Sequence, residues 1–225
     1  MVNASQTVGG ARRGPYRLRR RATRMDETRQ RITQAAVELH QEIGPLATTV
    51  TAIAHRAAVG RPTVYAHFPD EQTLFAACTA HYFGLHPAPD PMAWTQEPDQ
   101  AIRLVRGLTE LYGYWAEIEP MAARVLRDYR VAPDRVGQGF VDFMGLCRDA
   151  LTEDWPVTGN AQSRLRAVVG HAVRFETWQS LVRDGGLSTN EGATIMTGAV
   201  RAAIALPPTR ARSRTLASRS GGDTR

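Results

Sequence analysis

The sequence contains no lysine: all 28 of its basic residues are arginine. Covalent or acid–base chemistry through a lysine amine is excluded, and every cationic contact must come from a planar guanidinium fork. Only two cysteines occur, Cys78 and Cys147, far apart and each inside an apolar helical pattern. That spacing argues against a disulfide framework or a thiolate zinc cluster, and both are expected as small core residues. No apolar run approaches the roughly 18 residues of a membrane span, and no apolar stretch follows the basic N-terminus as a secretory signal requires. A soluble, cytoplasmic protein is expected. There is also no glycine-rich phosphate loop, internal repeat or useful strand-like alternation.

What is present is unevenly charged. Residues 1–25 hold seven arginines and no acid, and residues 207–225 hold five arginines against Asp223. The body between them is net acidic, so the whole excess of +6 comes from the two ends. Both ends are rich in Gly, Ser, Thr and Arg and read as a disordered basic arm (1–25) and a disordered basic tail (207–225). A mitochondrial transit peptide is disfavoured because Gly9, Gly10, Gly14 and Pro15 interrupt the amphipathic helix it would need.

From Thr23 onward, helical periodicity dominates and the fold class is all-α. Ile32, Ala35, Ala36, Leu39 and Ile43 share one face of a first helix near 25–43, stopped by Gly44-Pro45. Thr48 or Thr49 can cap a second helix of barely two turns, with Val50, Ile53, Ala54 and Ala57 inward. After Ala58-Val59-Gly60, in which Gly60 supplies backbone freedom or the cap, a third helix runs from Arg61 to about Phe68. Pro62 is tolerated there because first-turn N–H groups have no helical partner. Val64 and Phe68 form its inner side, leaving Arg61, Thr63, Tyr65 and His67 on the others.

Two short helices joined by a tight turn, the second presenting Arg, Thr, Tyr and His, have the form of a helix-turn-helix. The pattern R-x-x-I-x-x-A-A-x-x-L, then T-T-V-x-x-I-A, V-G-R-P-T-V-Y-A-H-F and Leu74 closely resembles the N-terminal domain of the TetR family of transcriptional regulators. The resemblance implies DNA-binding residues Thr49, Arg61, Pro62, Thr63, Tyr65 and His67. Arg61 would read a guanine edge or a phosphate, and the others would position the backbone. Three positions depart from the family pattern: Gly60 stands where Ser is usual, Ala58 where Gly is frequent, and Glu71 where a phosphate-contacting Lys is common. Residues 26–85 are themselves net negative, so an arm with Arg17, Arg19, Arg20, Arg21 and Arg24 is expected to supply the field that attracts DNA.

A second domain is expected over 86–206, after the breaker run His-Pro-Ala-Pro-Asp-Pro. Its helices are predicted near 97–118, 120–130, 134–153, 160–184 and 189–206, with Ser188-x-x-Glu191 as a capping box. By the resemblance, the last two pair with their symmetry mates in a homodimer, with Gly192, Gly198, Ala199 and Ala202 allowing close approach; ordinary packing within one subunit is the alternative. The resemblance also implies a pocket for an unknown small-molecule effector among Tyr112, Trp115, Met121, Phe140, Phe143, Met144, His171, Phe175 and Trp178. A plain aromatic core is the competing reading.

A catalytic reading would have to use His81 and His86, or Glu117 and Glu119 beside Tyr112, and neither pairing shares a helix face. No catalytic residue, metal or cofactor is expected. The functional expectation is a regulator that binds operator DNA and releases it when a small, largely apolar ligand enters the second domain. The alternative is a protein of the same fold with weak or non-specific DNA binding.

Overall fold

The computed structural model describes residues 13–207 apart from 135. It contains α1 (Arg13–Ile43), α2 (Val50–Arg56), α3 (Arg61–His67), α4 (Glu71–Leu85), α5 (Pro91–Trp94), α6 (Gln100–Glu117), α7 (Glu119–Val131), α8 (Gln138–Thr152), α9 (Gly159–Ala172), α10 (Phe175–Trp178) and α11 (Thr189–Ala205). No strand occurs among the described residues.

Helix ends follow local chemistry. Thr49 accepts from the Ala52 N–H at the start of α2, Asp70 from the Thr73 N–H at the start of α4, and Ser188 and Glu191 form the full reciprocal capping box of α11. One expectation is corrected at the other end of the chain: residues 13–25 are not an irregular arm but the first turns of α1. Pro15 falls near the helix start, where its missing N–H removes no bond, and arginine is a good helix former. Residues 1–12 and 208–225, and with them most of the expected tail, lie outside the described residues.

α1 packs against α2, α4 and α7, so the small head is seated directly on the larger body. Ile32, Ala36 and Leu39 of α1 meet Ile53, Ala54, Val64 and Phe68 of the two short helices in one continuous core. In the body, α6 packs against α8 and α11, and α11 against α9. Arg103 is only 2% exposed and acts as a clamp: its guanidinium donates to the carbonyls of Glu97 and Glu153 at 2.9 and 3.0 Å. The Glu153 carbonyl lies at the C-terminal end of α8, where a cation is well placed, and the Glu97 carbonyl lies in the loop before α6, so the guanidinium ties the two together.

The helix predicted over 160–184 is broken. α9 stops at Ala172, Arg174 is extended, and a π-helical stretch Gln179–Asp184 follows α10. Side chains take the freed carbonyls: Tyr112 Oη donates to Ala172 at 2.9 Å, Trp115 Nε1 to Val173 at 3.2 Å, and Thr177 Oγ1 to His171 at 2.6 Å. The breaker run 86–91 is followed by the single turn α5, which carries the fully buried Trp94.

Candidate nucleic-acid interface and effector cavity

α3 is too short to persist alone and is held by its neighbours. Val64 and Phe68 are buried at i, i+4, and Arg29 of α1 lies over the Phe68 ring at 4.1 Å while donating to the His67 carbonyl at 2.6 Å. Arg56 of α2 is fixed by a two-pronged pair with Glu42 at 2.8 and 2.7 Å. Arg29 and Arg56 are therefore committed to assembling the head. Helical periodicity marks neither of them, because the partner of each lies on another element or in a distant turn.

Arg61, Pro62 and Tyr65 are exposed, Thr63 and His67 half-buried. Arg61 makes no hydrogen bond or ion pair among the described residues and is left for an outside partner. Thr49 is exposed, and its hydroxyl caps α2. Of the two roles open to Gly60 in the turn between α2 and α3, it takes that of the cap residue of α3, in an ordinary extended conformation, while Ala58, at φ 52, is the left-handed residue. An alanine held there costs on the order of 1–2 kcal/mol, which a glycine would avoid.

On the extended part of α1, Arg19, Arg20, Arg21 and Arg24 are exposed, and Arg20 rests over Tyr16 at 5.7 Å. None of the four is in an ion pair among the described residues. Arg20 and Arg24, at i, i+4, share a face that continues to Arg31 at i+11. The side chain of Arg17 lies outside the described residues.

The nine expected pocket residues separate. Tyr112, Trp115, Phe175 and Trp178 are buried core: Trp115 meets Phe175 edge-on at 5.7 Å, Phe175 and Trp178 lie 5.2 Å apart, and Tyr112 and Trp115 spend their polar atoms on the α9 end. Phe143 and Met144 are partly buried against the same core, and His171 is exposed rather than on an apolar face. Met121 and Phe140 instead line a narrow, open-mouthed apolar cleft between head and body. The rest of its lining comes from His40 of α1, Phe75, Cys78, Thr79, Tyr82 and Phe83 of α4, Val125 of α7, and Gly137 and Gly139 at the start of α8. His40 is neutral there: burial pushes its ionisation down to about 4, against an opposing pull from the Asp128 carboxylate.

The candidate acid–base groups do not converge. His86 pairs with Glu117 at 2.7 Å, His81 with Gln34 at 2.9 Å, and Glu119 with Arg183 at 3.1 Å. No group of three metal-ligating side chains occurs among the described residues.

Residues 32–78, from the buried half of α1 to the middle of α4, match the family model of bacterial regulatory proteins of the tetR family. The N-terminal domain belongs to the TetR family. The TetR-family head thus spans the helix-turn-helix and both committed arginine contacts except Arg29 itself. Beyond the head, a TetR-family transcriptional regulator from Streptomyces coelicolor aligns at 18% identity, covering 79% of this chain and 80% of its own, with a TM-score of 0.54. A TetR-like transcriptional regulator from Rhodococcus sp. RHA1 aligns at 20% identity over 77% and 93%, with a TM-score of 0.52. Likeness at such identities speaks to the fold. No curated protein matches the chain. At the level of its family, the protein is a DNA-binding transcriptional regulator, and no helix among the described residues is long and apolar enough to cross a membrane.

Proposed function

We propose that the protein is a cytoplasmic, homodimeric repressor that reads an inverted repeat through α3 and leaves it when a small apolar ligand fills the cleft between head and body. The observation that carries this reading is the uncommitted, exposed Arg61 at the start of a short helix, while Arg29 is spent on holding that helix and Arg56 on holding α2 to α1. A guanidinium kept free at a helix start is suited to a guanine edge or a phosphate. Thr49, Pro62, Thr63, Tyr65 and His67 fit backbone-positioning roles around it, and Arg19, Arg20, Arg21 and Arg24 supply a helical band of positive charge for flanking phosphates.

Dimerisation belongs to the outer side of α9 and α11. The apolar faces carrying Leu165, Val169 and Ala172, and Met196 and Val200, are buried within the subunit, and Gly192 faces Tyr112. Ile195, Gly198, Ala199 and Ala202 remain exposed on α11, as does Ala167 on α9, which suits close helix approach across a two-fold axis. Release is a population shift in which the ligand binds the DNA-incompetent arrangement better than the competent one. The acidic balance of residues 26–85 favours a second reading, the same fold with weak, charge-driven DNA binding.

Selection of fragments from sheared genomic DNA of the source organism, at two salt concentrations, separates the two. A few sites sharing an inverted repeat are expected; diffuse recovery that vanishes at the higher salt would replace this reading by the second. On a recovered site, replacing Arg20, Arg21 and Arg24 together by Gln should lower the salt slope by about one for each phosphate that is no longer neutralised. An unchanged slope would remove the helical band from the interface.

A further inference from the structure

The cleft and the junction between head and body lie along one pair of helices. On α7, Met121 and Val125 line the cleft and Asp128 follows at i+7 on the same face; on α1, His40 lines the cleft and Gly44 follows at i+4. At Gly44 the two helices meet in a fastened turn. The Asp128 side chain, 6% exposed, accepts the Leu46 N–H at 2.9 Å, and Arg127 bridges from Asp128 to the Ile43 carbonyl at 2.9 Å. Space is tight at this point: φ at +94° favours glycine at position 44, and an added Cβ would run into Arg127 Nη2 and into the buried Asp128 carboxylate, 2.6 Å from Oδ2. The turn leads straight into Thr49 and α2, so what holds Leu46 also sets the helix-turn-helix.

The cleft, one turn away, carries no charged group in its lining: its polar atoms belong to the neutral His40, Cys78, Thr79 and Tyr82. An ion entering would be desolvated without a counter-charge on the wall. The geometry points to a compact, uncharged ligand, with one hydrogen-bonding group for His40 or Thr79, whose occupancy is transmitted to the DNA-binding head by loosening the Asp128–Leu46 fastening. Asp128 is thus a positioning residue for regulation, acting on the turn and touching neither ligand nor DNA. The coupling requires a packed, two-state contact rather than a soft one, and a close-packed glycine turn supplies it. This inference rests on the cleft being the effector site.

The test uses the full chain and three probes with one ring system: indole, which is neutral, indole-3-acetate, an anion, and tryptamine, a cation. Calorimetric titration is expected to show binding of indole alone, abolished when Thr79→Trp fills the cleft from its wall. Hydrogen exchange over residues 44–49 should then accelerate about tenfold on adding indole. Asp128→Ala should exchange as fast without indole and respond no further, while Asp128→Asn, which keeps an acceptor for Leu46, should retain the response. Binding of indole with unchanged exchange at 44–49 would overturn the coupling and leave the cleft as a site. Equal or tighter binding of either ion, or binding of none of the three, would overturn the ligand class. Failure of DNA recognition shows separately, in the fragment selection.

Discussion

The aromatic centre of the body and the seam between α1 and α7 are both interior, yet they are filled in opposite ways. Around Trp115 the space is taken by rings in contact and the polar atoms of Tyr112 and Trp115 are matched to the carbonyls where α9 ends. Along the seam, rings such as Phe75, Tyr82, Phe83 and Phe140 line the wall as well, but together with two glycines they leave a cleft, and the polar groups include a neutral histidine and, just beyond, a carboxylate fastened to the backbone of another element. Aromatic residues occur in both regions and do not by themselves mark which one is open. A site that can accept a guest arises where several elements meet and glycines leave part of the gap unfilled.

The strongest way to break this contrast is Trp115→Ala. A fully buried, hydrogen-bonded ring should cost about 3–5 kcal/mol on removal, read as a lower urea midpoint. A drop under about 1 kcal/mol would mean that the centre is looser than its ring packing implies.

Next in size is the titration of His40. Its ionisation falls from the ordinary 6.5 to about 4 in the folded state because burial disfavours the charged ring. A depressed value means that the stability it confers is complete above about pH 6.5 and drains away as pH falls toward 4, on the order of 2–3 kcal/mol. Urea melts of the wild type and of His40→Gln across that window should differ in slope, the variant lacking this component. Parallel curves would place His40 in water.

Smaller effects come from adding one methyl to each region. At Gly107 in α6 a Cβ would lie 2.6 Å from Leu151 and 3.0 Å from Trp94, so Gly107→Ala should lose about 1–3 kcal/mol to overpacking. At Gly139, on the cleft and in α8, nothing lies within 4 Å of an added Cβ. Gly139→Ala should therefore gain about 0.5–1 kcal/mol from helix propensity, visible as a higher urea midpoint. A reversal of the two signs would invert the comparison.

Much of the head is readable from its sequence because its signals are local. The cap at Thr49 acts over three residues, as that at Ser188 does in the body, and Val64 with Phe68 needs only a helical repeat to be assigned inward. The continuation of α1 to Arg13 is not readable, since Gly14-Pro15 looks like a stop until it is seen to sit at a helix start. The role of Ala58 is hidden for a similar reason: a positive φ belongs to the path of the turn, and no alanine announces it. In the body, the interruption after Ala172 follows from hydrogen bonds offered by Tyr112 and Trp115, some sixty residues earlier in the chain. Of the residues expected to form a pocket, Met121 and Phe140 reach the cleft because they lie at its edge, while the heavier rings close the core behind it.

By itself, the sequence determined most of the helices, the caps at Thr49 and Ser188, the all-arginine charge and its concentration at the ends, because each is decided by residues within a turn or two of one another. Tertiary structure alone decided which apolar face of α9 and α11 is used inside the subunit, where the interior is left open, and that Asp128 of the body holds the turn that sets α2. Those outcomes depend on the volumes and hydrogen-bonding needs of elements distant in the chain meeting at one place, and no pattern of local spacing carries that information.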